Sequence, residues 1–440
     1  MLWLILGLVF CAPFVDPRRP FRLLHLDLVA LAVVGLPLIQ IREAGGSTAE
    51  QDAAIVLVAV ALSYLLARML LIGFRPRRPL GALVPVVPLT WLVVAVIALV
   101  GFRMAYVRVD STVVADVGRV SVYGANRIAE GRGLYDEPLS ENDPQGNTYG
   151  PVMYLMYLPF ERVVTWTAQE DRDALTYGEV VSRDNLTARA AAVSFDLLAL
   201  AGLFLLGRRL RPRDGNALAV VLAFAWVSCP YPFNALKYGT NDSLVAALIV
   251  GALLALASPP LRGAFTALAS AAKFAPAALA PLLATAADRQ RRVRSAILFT
   301  GTFVLVSLAS FRPFIPDGGL RELYDRTLGF QAGRTVGSSI WWLFPSLEPL
   351  QVVTRVAAVA LAVAVAFVPV RKGPLQVAAL GAAVIIAFQL AVTFWAPAYV
   401  AWFVPLLFVA VFAAYGPGQL FGRAGQDPVG GSGGWHPPSS

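Results

Sequence analysis

Apolar residues in this chain gather into runs of roughly 15–23, separated by short basic or turn-rich breaks, which is the length an α-helix needs to cross about 30 Å of hydrocarbon. No stretch shows the ten-residue apolar/polar alternation of a membrane barrel strand. The pattern therefore predicts an all-α fold, a polytopic transmembrane helical bundle of about 11–13 membrane segments. Spans are expected near 2–14, 27–40, 53–74, 83–105, 190–207, 216–233, 242–257, 295–313, 349–370, 375–393 and 398–415. The first run has neither a basic leader nor a small-residue cleavage site, so it reads as a helix. One segment, 263–287, lies between two basic stretches that favour the same side of the membrane. A broken hairpin bending at Lys273-Phe-Ala-Pro276 resolves this, because Pro276 removes a backbone donor and an intramembrane lysine needs protein or water around it.

The breaks carry the topology. Those around Arg18, Arg75, Arg208, Arg289 and Arg371 are basic and should face the cytoplasm, whereas those at 43–52, 107–187, 237–242 and 316–348 are acidic or polar and should face outward. The chain then divides into N-terminal helices (1–105), an outer loop with interfacial helices (106–188), a second bundle (189–415) with its own outer loop (314–348), and a Gly/Pro/Ser-rich cytoplasmic tail (416–440) that reads as disordered. With 58% hydrophobic and 14% charged residues, no soluble core could bury the apolar surface. The net charge of +9 sits in the breaks and not along one face, which argues against nucleic acid as a partner. Two cysteines and two histidines, scattered, argue against a disulfide framework, a metal site and histidine catalysis.

Polar chemistry concentrates in the first outer loop. From Val109 to Glu130 the spacing predicts a helix with Val113, Val117, Val120 and Ile128 on one face, and Asp116, Arg119, Tyr123, Asn126, Arg127 and Glu130 near the other, lying in the membrane interface. A carboxylate there, Asp116 or Asp110, could meet a lipid headgroup at the water–lipid boundary; a solvated face with structural ion pairs is the plainer alternative. The stretch from Tyr149 to Phe160 is apolar but broken by prolines, so it should dip into the interface without spanning. Trp341, Trp342, Trp395 and Trp402 sit where an outer aromatic belt is expected.

Asp116, Tyr123, Gly131-Arg-Gly-Leu-Tyr135 and Tyr149-Gly-Pro151 together resemble the first outer loop of the C-type glycosyltransferases, and of glycosyltransferase family 87 in particular. Downstream, Lys237-Tyr-Gly-Thr-Asn-Asp242, Ala272-Lys-Phe-Ala-Pro276, the segment Asp325 to Arg334 and Trp395-Ala-Pro-Ala-Tyr-Val-Ala-Trp402 follow in the order that family uses. The chain departs from the pattern in carrying about three extra hydrophobic segments before the loop, and in Tyr-Gly-Pro for Tyr-x-Pro-Pro. The resemblance implies transfer of a sugar, usually mannose, with inversion, from a polyprenyl-phosphate-sugar donor to a glycolipid or glycan acceptor on the outer face of the plasma membrane. No cofactor is implied.

Such a reaction needs one carboxylate to take the acceptor proton and cations to hold the departing phosphate. Asp116 is the expected base with Asp110 as competitor. Arg334, Lys273, Lys237 and Arg312 are the expected phosphate ligands, and Tyr123, Tyr149, Asn241 and Trp395 the expected cavity residues. A transporter or flippase would instead spread ionisable groups through mid-membrane depth and repeat its halves, while a glycan polymerase or ligase would share the lipid-linked donor.

Overall fold

A computed structural model describes residues 2–17, 19–75, 87–109, 114–136, 147–168, 177–211, 215–286, 292–334 and 338–415. Among them every regular element is helical and none is a strand. Asp110 and the tail at 416–440 lie outside the described residues.

The helices α1 (Leu2–Cys11), α2 (Leu23–Val33) and α3 (Leu36–Glu43) precede the long helices α4 (Thr48–Phe74) and α5 (Leu89–Val109). A capping box starts α4: the Ser47 hydroxyl accepts from the Glu50 N–H while the Glu50 carboxylate accepts from the Ser47 N–H. After α6 (Asp116–Ala129), α7 (Pro151–Leu155) and α8 (Leu158–Ala168) come α9 (Tyr177–Leu210), α10 (Gly215–Ser228), α11 (Pro230–Lys237) and α12 (Asp242–Leu254). The chain continues through α13 (Pro259–Ala272), α14 (Ala280–Ala284) and α15 (Arg292–Phe311). Short helices α16 (Gly319–Tyr324), α17 (Phe330–Ala332) and α18 (Ile340–Leu343) come before α19 (Glu348–Phe367), α20 (Pro374–Ala391) and α21 (Val400–Phe412).

Among the described residues seven helices are long and apolar enough to cross a bilayer, and the pair α10–α11, bent by 50° at Cys229, makes an eighth. The remaining expected spans are shorter apolar helices such as α12 and α21, which are too short to cross alone and lie among the others. All thirteen residues of α21 are buried, whereas only 11% of the apolar window of α5 and 17% of that of α15 is covered by protein. Those two helices present their apolar sides outward, which in this composition means to lipid.

The hairpin expected at 263–287 is present. The helix α13 stops at Lys273, whose backbone is extended (φ −138°, ψ 137°), and a 3-10 turn at Ala275–Leu279 leads into α14. Arg262, near the start of α13, reaches the Ala284 carbonyl at the end of α14, so both limbs return to one end of the bundle. Inside the apolar bundle Arg103 grips Asp196 at 2.7 Å with both side chains almost fully buried, and the Trp226 indole donates to the same carboxylate. This is the structural pairing an intramembrane charge requires.

The first outer loop departs from expectation in one respect. Instead of resting its valine face on lipid, α6 is enclosed by protein on two sides: Val117, Val120 and Ile128 pack on a cluster containing Leu134, Tyr149 and Tyr154, while Gly118, Ser121, Val122 and Ala125 are buried on the other. Arg127, expected on a solvated face, is 2% exposed and donates from Nε to the Gly133 carbonyl at 2.7 Å. Small residues at 118, 121, 124 and 125 allow the close approach that a surface-lying helix would not need.

Candidate functional site

The chain breaks that the sequence assigns to the outer side meet at one end of the bundle. The turn after α11 is the hub. It runs from Lys237 through Gly239, whose φ is +61°, to Asp242 at the start of α12. The Tyr238 carbonyl accepts the Ala115 N–H at 2.9 Å, which docks the first turn of α6 onto it. The contact is backbone on backbone: a Cβ on Gly118 would stand 2.4 Å from the Gly239 carbonyl oxygen. Asp116 therefore begins its helix beside the turn, exposed; one of its oxygens accepts the Val117 N–H, and the carboxylate has no ion-pair partner among the described residues.

Asp242 organises the other side of the turn. Its Oδ1 accepts from the Lys273 ammonium at 2.6 Å and from the Trp402 indole at 2.8 Å, and its Oδ2 accepts the Thr240 hydroxyl at 2.6 Å. Lys273 lies where α13 ends, so its long side chain leaves the helix and passes beneath three rings, with the ammonium 5.5, 5.4 and 5.1 Å from the centres of Tyr149, Tyr399 and Trp402. Tyr399 and Trp402 are themselves stacked at 4.3 Å. A cation so placed gains both its carboxylate and the ring quadrupoles. Gly150 makes this closeness possible, because a Cβ there would fall 2.0 Å from the Ala271 carbonyl oxygen.

The segment between α15 and α19 closes the site. A π-helical turn at Asp325–Gly329 precedes α17; beyond it Gln331 donates to the Thr148 hydroxyl at 3.2 Å, and the Arg334 guanidinium lies 3.6 Å from the centre of the Phe394 ring. Arg334 has no carboxylate partner among the described residues. The Phe394 ring lies 6.1 Å from that of Tyr399, so Arg334, Phe394, Tyr399, Trp402 and the Lys273–Asp242 pair follow one another through direct contacts, and Asp116 joins them through the 237–242 turn. Behind it, burial pushes the hydroxyls of Tyr135, Tyr154 and Tyr157 well above the ordinary phenol range, so they act only as neutral donors and acceptors. Asn241 Oδ1 and Ser243 Oγ, each 1% exposed, find no hydrogen-bond partner among the described residues.

Of the expected residues, Asp116, Tyr149, Lys273 and Arg334 come together here. Asn241 is in the same turn, its amide donating to Ser121 at 3.3 Å. Tyr123 is half-buried beneath the Arg127 guanidinium. Arg312 is exposed just past α15. Lys237 is held by Glu43 at 2.6 Å. Trp395 and Trp402, assigned to an interfacial belt, are 1% and 6% exposed, because their indole N–H groups are used inside the protein by Gln389 and Asp242.

A family model, glycosyltransferase family 87, matches residues 147–412, more than half of the chain. The chain belongs to glycosyltransferase family 87. It is thus a membrane glycosyltransferase, and the family 87 stretch contains the Lys273–Asp242 pair, the aromatic stack and Arg334, while Asp116 and the N-terminal helices precede it. No curated protein and no solved structure matched the chain.

Proposed function

We propose that this protein transfers a sugar, mannose being the first candidate, from a polyprenyl-phosphate donor to a glycolipid or envelope glycan, at the extracytoplasmic face of the plasma membrane and with inversion. The observation that carries the reading is the contrast among charges at one locus. Lys273 and Asp242 neutralise each other in the wall, whereas Asp116 and Arg334 have no ion-pair partner among the described residues and keep a carboxylate and a guanidinium for the substrate.

In this mechanism Asp116 takes the acceptor hydroxyl's proton as that oxygen attacks the anomeric carbon from the side opposite the phosphate. The bond from the anomeric carbon to the phosphate oxygen breaks, and the lipid phosphate leaves with the electron pair. Arg334 meets the charge that grows on the phosphate, since a planar guanidinium matches phosphate oxygens in pairs. Arg312 is the next cation available to it. Lys237 and Lys273, each tied to a carboxylate, shape the turn and wall. Tyr149, Tyr399 and Trp402 offer ring faces to the sugar. Asn241 and Ser243 keep polar capacity for its hydroxyls.

The test is transfer from polyprenyl-phosphate-mannose by the purified protein in lipid nanodiscs, with Asp116→Asn beside it. Removal of a general base should lower the rate by about 10²–10⁴-fold. Full activity in Asp116→Asn would remove Asp116 as the base. A native protein inert toward this donor would remove the mannosyl reading.

A further inference from the structure

The helices that precede the family match reach the site at two points. The helix α3 ends in Arg42 and Glu43. Arg42 donates to the Ser338 hydroxyl at 2.5 Å, in the same outer loop as Arg334. The Glu43 carboxylate is more heavily engaged. Its Oε1 accepts the Lys237 ammonium at 2.6 Å and the Tyr238 hydroxyl at 2.7 Å, and its Oε2 accepts the Trp3 indole at 2.6 Å. The Lys237 ammonium also sits 5.4 and 5.2 Å above the rings of Trp3 and Tyr238.

Tyr238 is the residue whose carbonyl holds the Ala115 N–H, one position before Asp116. Two residues further, Thr240 holds Asp242 from the same turn. A continuous set of contacts therefore leads from Glu43 through Tyr238 to the backbone of Asp116, and through the turn to the Lys273–Asp242 wall. Carboxylate hydrogen bonds to an ammonium, a phenol and an indole at these lengths are charge-assisted and stiff.

We infer that Glu43 is a positioning residue for catalysis: it fixes the 237–242 turn, and through Tyr238 sets where the Asp116 carboxylate stands relative to the sugar wall. The extra N-terminal helices are then part of the reaction's scaffold. This rests on Asp116 as the base, but its structural half can be read without turnover. A misplacement of about 1 Å of a reacting group is enough to cost up to 100-fold in rate.

The experiment compares native protein, Glu43→Ala, Glu43→Asp and Tyr238→Phe in nanodiscs by transfer kinetics and by amide exchange. In Glu43→Ala, kcat should fall about tenfold with donor KM within about twofold. Exchange should quicken in 114–121 and 237–242 and stay unchanged in the buried helix at 377–387. Tyr238→Phe, which removes one hydroxyl, should reproduce the direction with a smaller loss, and Glu43→Asp should recover part of the rate. Native-like kcat and exchange in both Glu43→Ala and Tyr238→Phe would overturn the inference. So would faster exchange at 377–387 together with proportional losses of kcat and KM in Tyr238→Phe, which would make Glu43 a brace of the whole fold. Inactivity of the native protein toward lipid-phosphate donors would defeat the catalytic reading alone, and the exchange comparison would still decide whether Glu43 holds the turn.

Discussion

Lys273 and Asp242 hold each other at 2.6 Å, each side chain 3% exposed, at the point where one helix ends and another begins. Neither charge could stay there alone. Removing one partner of such a pair typically costs about 3–5 kcal/mol, whereas replacing both by apolar or neutral groups of similar size is often close to neutral. Lys273→Met and Asp242→Asn should therefore each lower the unfolding temperature in detergent more than the double variant does. Losses that simply add in the double variant would show that the two charges are not coupled.

Alanine is favoured over glycine inside a helix by about 1 kcal/mol, yet Gly118→Ala should destabilise. Its Cβ would meet the Gly239 carbonyl oxygen at 2.4 Å, and backbone on both sides cannot yield cheaply. Gly101 in α5 provides the comparison, because nothing lies within 4 Å of the Cβ it lacks. Gly101→Ala should be neutral or stabilising by thermal unfolding, and opposite signs for the two variants are the expected result.

Arg334 owes its orientation to the Phe394 ring, 3.6 Å away. A cation–π contact between half-buried groups is worth about 1 kcal/mol, and a lysine offers neither the flat stack nor the paired donors. Arg334→Lys and Phe394→Leu should each raise the KM for the lipid-phosphate donor, Arg334→Ala by more than either, about tenfold or above. Unfolding temperatures should barely change. A normal KM in Arg334→Ala would move the phosphate to other cations.

Lys372, at the opposite end of the bundle, donates to the Ala366 carbonyl at 3.1 Å. Burial, with the nearby Arg292 charge adding to it, pushes its ammonium down to about 8. Between about 8 and the ordinary lysine value the folded protein has released this proton while the unfolded chain still binds it, so this group makes stability rise with pH across that window. Lys372→Met should flatten that part of the profile. Amine acetylation followed by peptide mass analysis should place its titration near 8, a measurement eased by there being only two other lysines, both ion-paired. A normal lysine titration would contradict this.

Much of the helical framework was legible in the apolar runs, because each run must satisfy its own backbone inside lipid whatever its neighbours do. Asp116 and Tyr149 were singled out by the resemblance to family 87 in the first loop, Lys273 by its place beside Pro276 in an apolar run, and Arg334 by its polar, glycine-containing loop. What the pattern could not supply was partnership. Asp242 stands at the head of an apolar helix and Lys273 at the end of another, so each demanded an opposite charge, but nothing local says that they choose one another. Trp402 looked like a belt residue for the same reason: an indole at a span end has the same sequence environment whether its N–H meets water or a carboxylate. Glu43 was hidden more completely, in an acidic break read only for its sidedness. The valine stripe of α6 predicted amphipathicity correctly and its surroundings wrongly, since a periodicity cannot tell lipid from the ring of Tyr154.

The contacts that build the site also set when it can exist. Glu43 and Lys237 are 194 residues apart, Asp242 and Trp402 160, and Arg42 and Ser338 296. Helices entering the bilayer one after another during synthesis can each be stable before these meetings occur, but the Lys273–Asp242 pair lacks its Trp402 partner until α21 arrives. A chain interrupted before its final helix would be an ordinary membrane protein by length and hydropathy and would have no reaction to perform.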